Sequence, residues 1–309
     1  MMTDMNKRYH FRSGWGARLL ALVCFCFLQG LLSSARAQHT EQNVHSSEQS
    51  VRSYDEWVQR AIQAVEVDSL DRAVESLRQA VMTDPAHAHN VWLYTNMGTL
   101  QGQLSRFDEA IESYTFALNV APYHVPALLG RASVYLEMGK LELARVDYSL
   151  VLDIEKENEE ALLMRAYIYK VQRQYKFARA DYDRLLQLHA DHFNARLGLA
   201  LLHQAEGERE QAIRLLDILI TESKADASRS TLLYRARAEV EWESEHYDAA
   251  LVDVEHSLCL DDAQAEAYLL RGQIYLAMGK KLQAKRDFHQ AQTLGIPAAQ
   301  LKPLLSKCK

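Results

Sequence analysis

The chain has 309 residues, of which 48% are apolar and 25% are charged, with 12 Gly and 5 Pro. This composition excludes a disordered or collagen-like chain and is typical of a folded soluble protein rich in helix-forming residues. Lys and Arg number 35 against 41 Asp and Glu, which gives a formal net charge of −6. A general affinity for nucleic acid or anionic membranes is therefore not expected.

Residues 1–37 have the three parts of a secretory signal peptide. Basic residues precede the apolar run LLALVCFCFLQGLL at 19–32, and Ala35 and Ala37 form a small-residue cleavage signal before Gln38. The apolar run is shorter than the roughly 20 residues that a membrane-spanning helix needs. We therefore predict cleavage before Gln38, export to a periplasm, a cell surface or the medium, and no membrane insertion after cleavage.

Two alternatives to this cleavage are open. One is an uncleaved membrane anchor, and the other is a lipoprotein cleaved before Cys24 or Cys26, although the residues before these cysteines are not small. Removal of residues 1–37 leaves 30 Lys and Arg against 40 Asp and Glu, a net charge of −10. It also leaves Cys259 and Cys308, which we expect to be unpaired thiols, with a disulfide as the alternative in an oxidising compartment.

The polar segment QHTEQNVHSSEQSVRS, residues 38–53, has no apolar periodicity, so we predict a disordered leader. A repeat with a period of 34 residues follows it. The clearest copies are VYLEMGK at 134–140 and IYLAMGK at 274–280. Four extra residues, Ala227–Ser230, are assigned to a linker between repeats. The predicted repeats are 54–87, 91–124, 125–158, 159–192, 193–226, 231–264 and 265–298.

Within each repeat, small and large residues recur at fixed positions. Position 8 is Ala or Gly, and position 24 is large and apolar or aromatic. Small residues are needed where two helices cross closely, and large residues fill the space beside the crossing. Position 20 is Ala73, Ala110, Ala144, Ala178, Ala212, Ala250 and Ala284.

This pattern resembles the tetratricopeptide repeat, a 34-residue helix–turn–helix unit with the motif W-x2-L-G-x2-Y…A-x3-F…P. The resemblance implies an all-α fold, a right-handed α-solenoid of about seven helix–turn–helix repeats that stack to bury their apolar faces. A short C-terminal helix over 299–309 is expected to cap the last repeat. Repeat 91–124 matches the motif at Tyr94, Met97, Gly98, Ala110, Tyr114, Ala117 and Pro122.

A comparison among the repeats predicts four ion pairs. Wherever position 23 is Asp, position 7 is Arg, and the two positions lie on facing helices of one repeat. We predict structural pairs, since a partly buried Arg needs a carboxylate, with a charged binding site as the alternative. The pairs are Arg131–Asp147, Arg165–Asp181, Arg237–Asp253 and Arg271–Asp287.

Nothing in the sequence assembles a catalytic site. The HExxH, Walker, GxSxG and CxxC motifs are missing from the sequence. The histidine pairs His87 with His89 and His189 with His192 have no clear third ligand, so solvated histidines are favoured over a metal site. An acidic run over 155–160 is interpreted as a solvated edge. No enzymatic activity, cofactor or metal is expected.

The resemblance implies a concave groove, lined by the first helices of the repeats, that holds a peptide or helix of a partner protein. We predict an exported noncatalytic scaffold for protein–protein interaction. Alternatives are an accessory or docking subunit of a cell-envelope enzyme or assembly complex, and a glycan- or small-ligand-binding protein. The predicted groove residues are Leu163, Tyr167, Lys170, Leu197, Leu201, Gln204, Arg235, Glu239, Trp242 and Gln273.

Two further expectations concern this groove. The leucines have an alternative interpretation, packing against the adjoining repeat rather than against a partner. The groove is also not expected to clamp the C-terminal carboxylate of a chaperone tail. That mode, known for tetratricopeptide domains, needs Asn at position 9, which no repeat of this chain has.

Overall fold

A computed structural model describes the backbone of residues 44–309 and the side chains from Ser53 onward. Within this part the chain forms fifteen α-helices and no strand, which confirms the predicted all-α class. The predicted signal peptide at 1–37 lies outside the described residues. The chain divides into two compact units, Met1–Arg165 and Ala166–Lys309.

The first unit contains six complete helices. They are α1 Val44–Glu66, α2 Leu70–Thr83, α3 Asn90–Gln103, α4 Phe107–Val120, α5 Val125–Glu137 and α6 Leu141–Ile154. The division between the units falls within α7, Glu159–Val171.

The second unit contains the end of α7 and eight further helices. They are α8 Tyr175–Leu188, α9 Phe193–Glu206, α10 Arg209–Glu222, α11 Ala227–Glu243, α12 Tyr247–Leu260, α13 Ala265–Ala277, α14 Lys281–Thr293 and α15 Ala298–Lys307.

Consecutive helices pack as antiparallel pairs. The most extensive contacts within the units join α1 with α2, α3 with α4, α5 with α6, α9 with α10, α11 with α12, and α13 with α14. Smaller contacts join the second helix of a pair to the first helix of the next, as between α4 and α5 or between α12 and α13. This nearest-neighbour packing is typical of a solenoid built from tetratricopeptide-like repeats.

The small residues at position 20 lie where the paired helices cross. All seven alanines at this position have no exposed surface, as expected from the sequence. Large side chains at position 24 fill the adjoining space, and Tyr148 and Phe288 are among the largest fully buried side chains of the described part. The close approach requires Gly at some neighbouring sites, since a Cβ atom at Gly272 would lie 2.6 Å from the ring of Phe288.

The turn within each repeat has a left-handed residue at position 15. Three of the seven are glycines, among them Gly139 with φ of 71°. The other four are Asp68, Ser105, Arg173 and Glu245, with φ between 55° and 62°. The backbone N–H of the next residue then bonds a carbonyl of the preceding helix, as from Lys140 to Tyr135 at 2.8 Å, which ends the helix.

The prediction of a disordered leader over 38–53 is wrong from Val44 onward, because α1 begins there. The remaining residues, 38–43, lie outside the described part. In α1 the residues Tyr54, Val58 and Ala61 are buried against the fold. A helix fixed by such packing is extended easily, since each added residue forms a further hydrogen bond without a new nucleation step.

The assignment of Ala227–Ser230 to a linker is also wrong. These residues form the first turn of α11. The carboxylate of Asp226 accepts a hydrogen bond from the backbone N–H of Arg229 at 3.0 Å and so caps the helix. The extra residues therefore lengthen a helix rather than a loop.

The chain ends in the expected short helix. Leu301 of α15 is fully buried beside Phe288 and Ala284 of α14, and so covers the last repeat. None of the helices between residues 44 and 309 combines the length and apolarity that a membrane crossing requires.

Candidate partner-binding surface

Nine of the ten predicted groove residues lie in the second unit. Leu163 belongs to the first unit, so its place beside the others stays a prediction. Among the nine, Leu197 is buried and the rest are half-buried. We call these eight half-buried residues the groove face: Tyr167, Lys170, Leu201, Gln204, Arg235, Glu239, Trp242 and Gln273.

Lys170, near the end of α7, is a half-buried charged residue of the groove face. Its Nζ lies 5.5 Å from the ring centroid of Tyr167. Burial lowers the pKa of Lys170 to about 8, because the ammonium loses hydration, and the negative charge of Glu239 acts in the opposite direction. A complete repeat separates α7 from α11 in the sequence, so the charge that acts on Lys170 comes from a different repeat.

Helices α11 and α13 are joined by a long polar contact on the groove face. Nη1 of Arg235 lies 3.8 Å from the carboxylate of Glu266, which α13 contributes. Only 17% of the Arg235 side chain is exposed, so its guanidinium is largely shielded from water. Trp242 packs partly against the apolar cluster between α11 and α13. Trp242 therefore supports the fold as well as the surface.

The two leucines of α9 have a packing role. Leu197 belongs to the buried cluster formed with α10 and α11, and Leu201 packs against the same cluster. Only 8% of Leu197 is exposed, which leaves little surface for a partner. This supports the interpretation that Leu197 packs between repeats, while Leu201 retains a half-buried edge.

Three of the four predicted ion pairs are formed as bidentate contacts. Nε and Nη2 of Arg131 donate to Asp147 at 2.8 Å each, and the same atoms of Arg271 donate to Asp287 at 2.7 and 2.9 Å. Arg237 donates to Asp253 at 2.7 and 2.6 Å. These hydrogen bonds raise the pKa of each guanidinium.

The fourth predicted pair, Arg165 with Asp181, joins residues of the two units and stays a prediction. Asp181 is buried, and Nη1 of Arg165 donates to the hydroxyl of Ser149 at 3.3 Å. The acidic partners of the three formed pairs are buried as well, with side-chain exposures of 4 to 8%.

The sequence comparison missed a second partner of these arginines. Nη1 of Arg131 donates to Thr115, and Nη1 of Arg237 donates to Asp217. Both partners stand at position 25 of the preceding repeat, as does Ser149 relative to Arg165. Arg131 and Arg237 therefore each join two successive repeats as well as two helices. The signal was visible as a recurring polar residue 16 or 20 positions before the Arg.

A possible metal-ligand group among the described residues is His203, Glu206 and Glu208, whose ligand atoms lie within 4.8 Å of one another. Arg179 donates to Glu206, and its Nη1 lies 3.5 Å from Nε2 of His203. Nδ1 of His203 lies 2.6 Å from Glu208. Because the guanidinium of Arg179 contacts two of the three groups and His203 contacts the third, the geometry fits an ion-pair network better than a cation site.

The groove face combines an ammonium, a guanidinium, a carboxylate, two amides and aromatic rings. This set of groups is suited to recognition of another molecule by charge, hydrogen bonding and apolar contact.

Two segments of the chain, residues 95–155 and 265–294, match family models described as tetratricopeptide repeat. The crystal structure of a tetratricopeptide repeat protein from Parabacteroides merdae ATCC 43184 is 33% identical, with a TM-score of 0.77. The alignment covers 83% of this chain and 99% of that chain. A comparison with curated proteins gives no match.

Two more distant structures share the fold alone. The Cut9–Hcn1 hetero-tetramer of the APC/C is 13% identical with a TM-score of 0.62, covering 95% of this chain and 54% of that chain. MamA from Desulfovibrio magneticus RS-1 is 13% identical with a TM-score of 0.52, covering 56% of this chain and 97% of that chain.

Proposed function

Because the chain belongs to the tetratricopeptide repeat family, we propose that it is a noncatalytic scaffold that binds a segment of a partner protein on its groove face. The observation that carries this proposal is the set of half-buried charged and aromatic side chains on this face, where Nζ of Lys170 lies 5.5 Å from the ring centroid of Tyr167 and Nη1 of Arg235 lies 3.8 Å from the carboxylate of Glu266. These half-buried charged groups belong to first helices of separate repeats. A folded protein rarely keeps such groups shielded from water without a partner or a structural need.

The groups on this face suit an amphipathic segment. The half-buried edges of Leu201 and Trp242 offer apolar surface, while Lys170 and Glu239 offer one charge of each sign. Aromatic and Arg residues at the centre of an interface commonly carry most of the binding energy. A partner segment with an apolar side chain next to a polar one would meet both kinds of surface.

The proposal does not rest on capture of a terminal carboxylate. Position 9 is Tyr167, Leu201, Glu239 and Gln273 in the four first helices of this region, and none of these offers the amide of an Asn. We expect internal residues of the partner segment to bind. Amidation of the segment's C-terminus therefore leaves its affinity unchanged.

Export is the second part of the proposed function. It is supported by the basic, apolar and small-residue regions of residues 1–37 and by the cleavage pattern before Gln38. The scaffold would then act in a periplasm, at a cell surface or in the medium. N-terminal sequencing of the protein recovered from envelope and secreted fractions tests this. A chain that retains residues before Gln38 contradicts the proposed cleavage.

The binding proposal is tested by partner capture with matched variants. The parent chain, Tyr167→Ala and Glu239→Gln are used to recover partners from the envelope and secreted fractions. Phe177→Ala is the control, because this side chain is 56% exposed on α8 and lies outside the groove face.

The recovered partner is then titrated against each chain in purified form. We expect each groove variant to weaken binding by about 30-fold, the effect of losing an interface hot spot worth about 2 kcal/mol. Phe177→Ala should bind like the parent. Equal affinities of all four chains for every recovered partner would overturn the proposal.

A further inference from the structure

The charge of the chain is distributed very unevenly. Residues 54–277 contain 22 Lys and Arg against 37 Asp and Glu, a net charge of −15. Residues 278–309 contain 7 Lys and Arg against a single acidic residue, Asp287, which is paired with Arg271. The C-terminal end of the second unit is therefore a basic region on an otherwise acidic protein.

The basic side chains of α14 share one exposed face of that helix. Lys281 and Lys285 are one turn apart, and Arg286 is one turn from Leu282. All three basic residues are exposed, and among the described residues none of the three forms an ion pair with an Asp or Glu side chain. Nζ of Lys281 donates to the main-chain carbonyl of Lys309. Leu282, 63% exposed, lies among these charges.

We call Lys281, Leu282, Lys285 and Arg286 the basic face. Three cations that pair with no Asp or Glu side chain of the described residues, together with an exposed leucine, form a surface of the kind that binds an acidic partner with some apolar contact. The first unit of the chain contains a surface with the opposite charge.

That surface lies at the end of α6. Asp153, Glu155 and Glu157 are exposed, with the exposed Lys156 between the two glutamates, and Glu155 accepts a hydrogen bond from Asn158 at 2.8 Å. Leu150 and Ile154 are each 40% exposed on the same helix, four residues apart and therefore on one face. We call the three acidic residues and these two apolar ones the acidic face.

Helix α6 differs from the second helices of the other repeats by having apolar residues at all four outer positions, 19, 22, 26 and 30. At these positions α2 has only polar residues and α10 has a single apolar one, Ile218, whereas α4 has two and α8 and α12 have three each. In α6 all four are apolar. They are Leu143, Val146, Leu150 and Ile154, and each is at least 40% exposed.

We propose that the chain assembles head to tail, with the basic face of one copy docked on the acidic face of a second copy. The exposed leucine of the one meets the exposed apolar residues of the other, and the surrounding charges are opposite. Because the two faces differ, each copy has one of each. Such heterologous contacts continue from copy to copy unless the rotation closes a ring.

A second copy fits the basic face better than an anionic lipid surface or a nucleic acid. A charge of −15 on residues 54–277 repels a polyanion from most of the molecule. The same charge attracts the basic face of another copy. Repulsion between the negatively charged residues 54–277 of two copies weakens their association. We therefore expect assembly of moderate affinity that depends on the salt concentration.

The test is a charge exchange followed by sedimentation velocity over a range of protein and salt concentrations. One variant carries Lys281→Glu and Lys285→Glu, and another carries Asp153→Lys and Glu157→Lys. Lys176→Glu with Lys224→Glu is the matched control, since both lysines are exposed in the second unit outside the basic face. Circular dichroism checks that each variant keeps the helical content of the parent.

We expect the parent to associate increasingly with concentration at low salt, and the association constant of each face variant to fall by about tenfold or more. The control should assemble like the parent. An equimolar mixture of the two face variants should contain hetero-dimers, because the reversed charges are again complementary. Tyr167→Ala should assemble normally, which separates this inference from the proposed groove function.

Three results would overturn the proposal. The first is a parent chain that stays monomeric at high micromolar concentration and low salt. The second is a mixture of the face variants that associates no better than either variant alone. The third is a Lys281→Glu, Lys285→Glu variant that assembles like the parent but no longer binds vesicles of anionic phospholipid, or duplex DNA, that the parent binds.

Discussion

Arg131 and Asp147 are joined by two parallel hydrogen bonds, Nε to Oδ2 and Nη2 to Oδ1, each 2.8 Å long. The carboxylate is 4% exposed and the guanidinium side chain 19% exposed, so both groups have lost most of their hydration. Arg131 also donates to Thr115 of the preceding repeat. The pair therefore holds together the two helices of one repeat and links that repeat to its neighbour.

Asp147→Ala should destabilise the chain strongly. Removal of the carboxylate leaves a largely buried guanidinium without its partner, which costs about 3 kcal/mol. Urea unfolding followed by circular dichroism measures the change. Arg145→Ala is the control, because the Arg145–Glu142 pair is more exposed and contributes at most about 1 kcal/mol. Equal urea midpoints for the two variants would show that the buried pair contributes no more to stability than the exposed pair.

Glu245→Gly should stabilise the protein. Glu245 has φ of 62°, a left-handed conformation that costs a residue with a side chain about 1 kcal/mol, while the equivalent residue in another repeat is Gly139. Gly139→Ala should have the opposite effect by a similar amount, because a Cβ there meets no neighbour and only the backbone is strained. Thermal unfolding of both variants checks the prediction. A fall in midpoint for Glu245→Gly would contradict it.

Gly198→Ala should destabilise the second unit by about 1–3 kcal/mol through overpacking. A Cβ at this position would lie 2.5 Å from the ring of Tyr182. Position 24, where Tyr182 stands, is Leu in two other repeats, at Leu77 and Leu216. In a double-mutant cycle, Tyr182→Leu should therefore reduce the cost of Gly198→Ala. Additive free energies of unfolding in the cycle would show that the two sites do not clash.

Lys170 should titrate near pH 8 in the folded chain. Because this pKa is below the 10.5 of a free Lys, the unfolded chain binds more protons between those values, and stability should rise as the pH increases from 8 to 10.5. NMR of labelled lysine side chains measures the pKa directly. Glu239→Gln should lower it further, since the carboxylate favours the ammonium. Lys170→Met should remove this part of the pH dependence, and an unchanged slope would contradict the assignment.

The fold was predictable because its physical cause is repeated seven times in the sequence. Each Ala at position 20 marks a helix crossing, and the distance between them gives the period. The boundaries were less predictable. The polar sequence before Ser53 gave no periodic signal, although helix α1 extends through it from Val44. Ala227–Ser230 was similarly misassigned, because Asp226 could equally begin a helix or a turn.

The candidate site was less accessible to sequence reasoning. The pairing of Arg131 with Asp147 was predicted because positions 7 and 23 of the same repeat vary together among the repeats. Thr115 belongs to the preceding repeat, so this comparison did not include it. The helical stripe placed Leu197 and Lys170 on the same predicted surface. How deeply each is buried depends on the neighbouring helices, which is why Leu197 proved to be a packing residue and Lys170 a desolvated charge.

The most direct test of the groove face is site-specific photo-crosslinking to a captured partner. A photoreactive amino acid is placed at Gln204 or Gln273 on the groove face, and at Phe177 or Val252 on the opposite, exposed helix faces, where the side chains are 56% and 52% exposed. We predict crosslinks to the partner from the first two positions and none from the second two. Crosslinks from Phe177 or Val252 alone would contradict the proposal that the partner binds on the groove face.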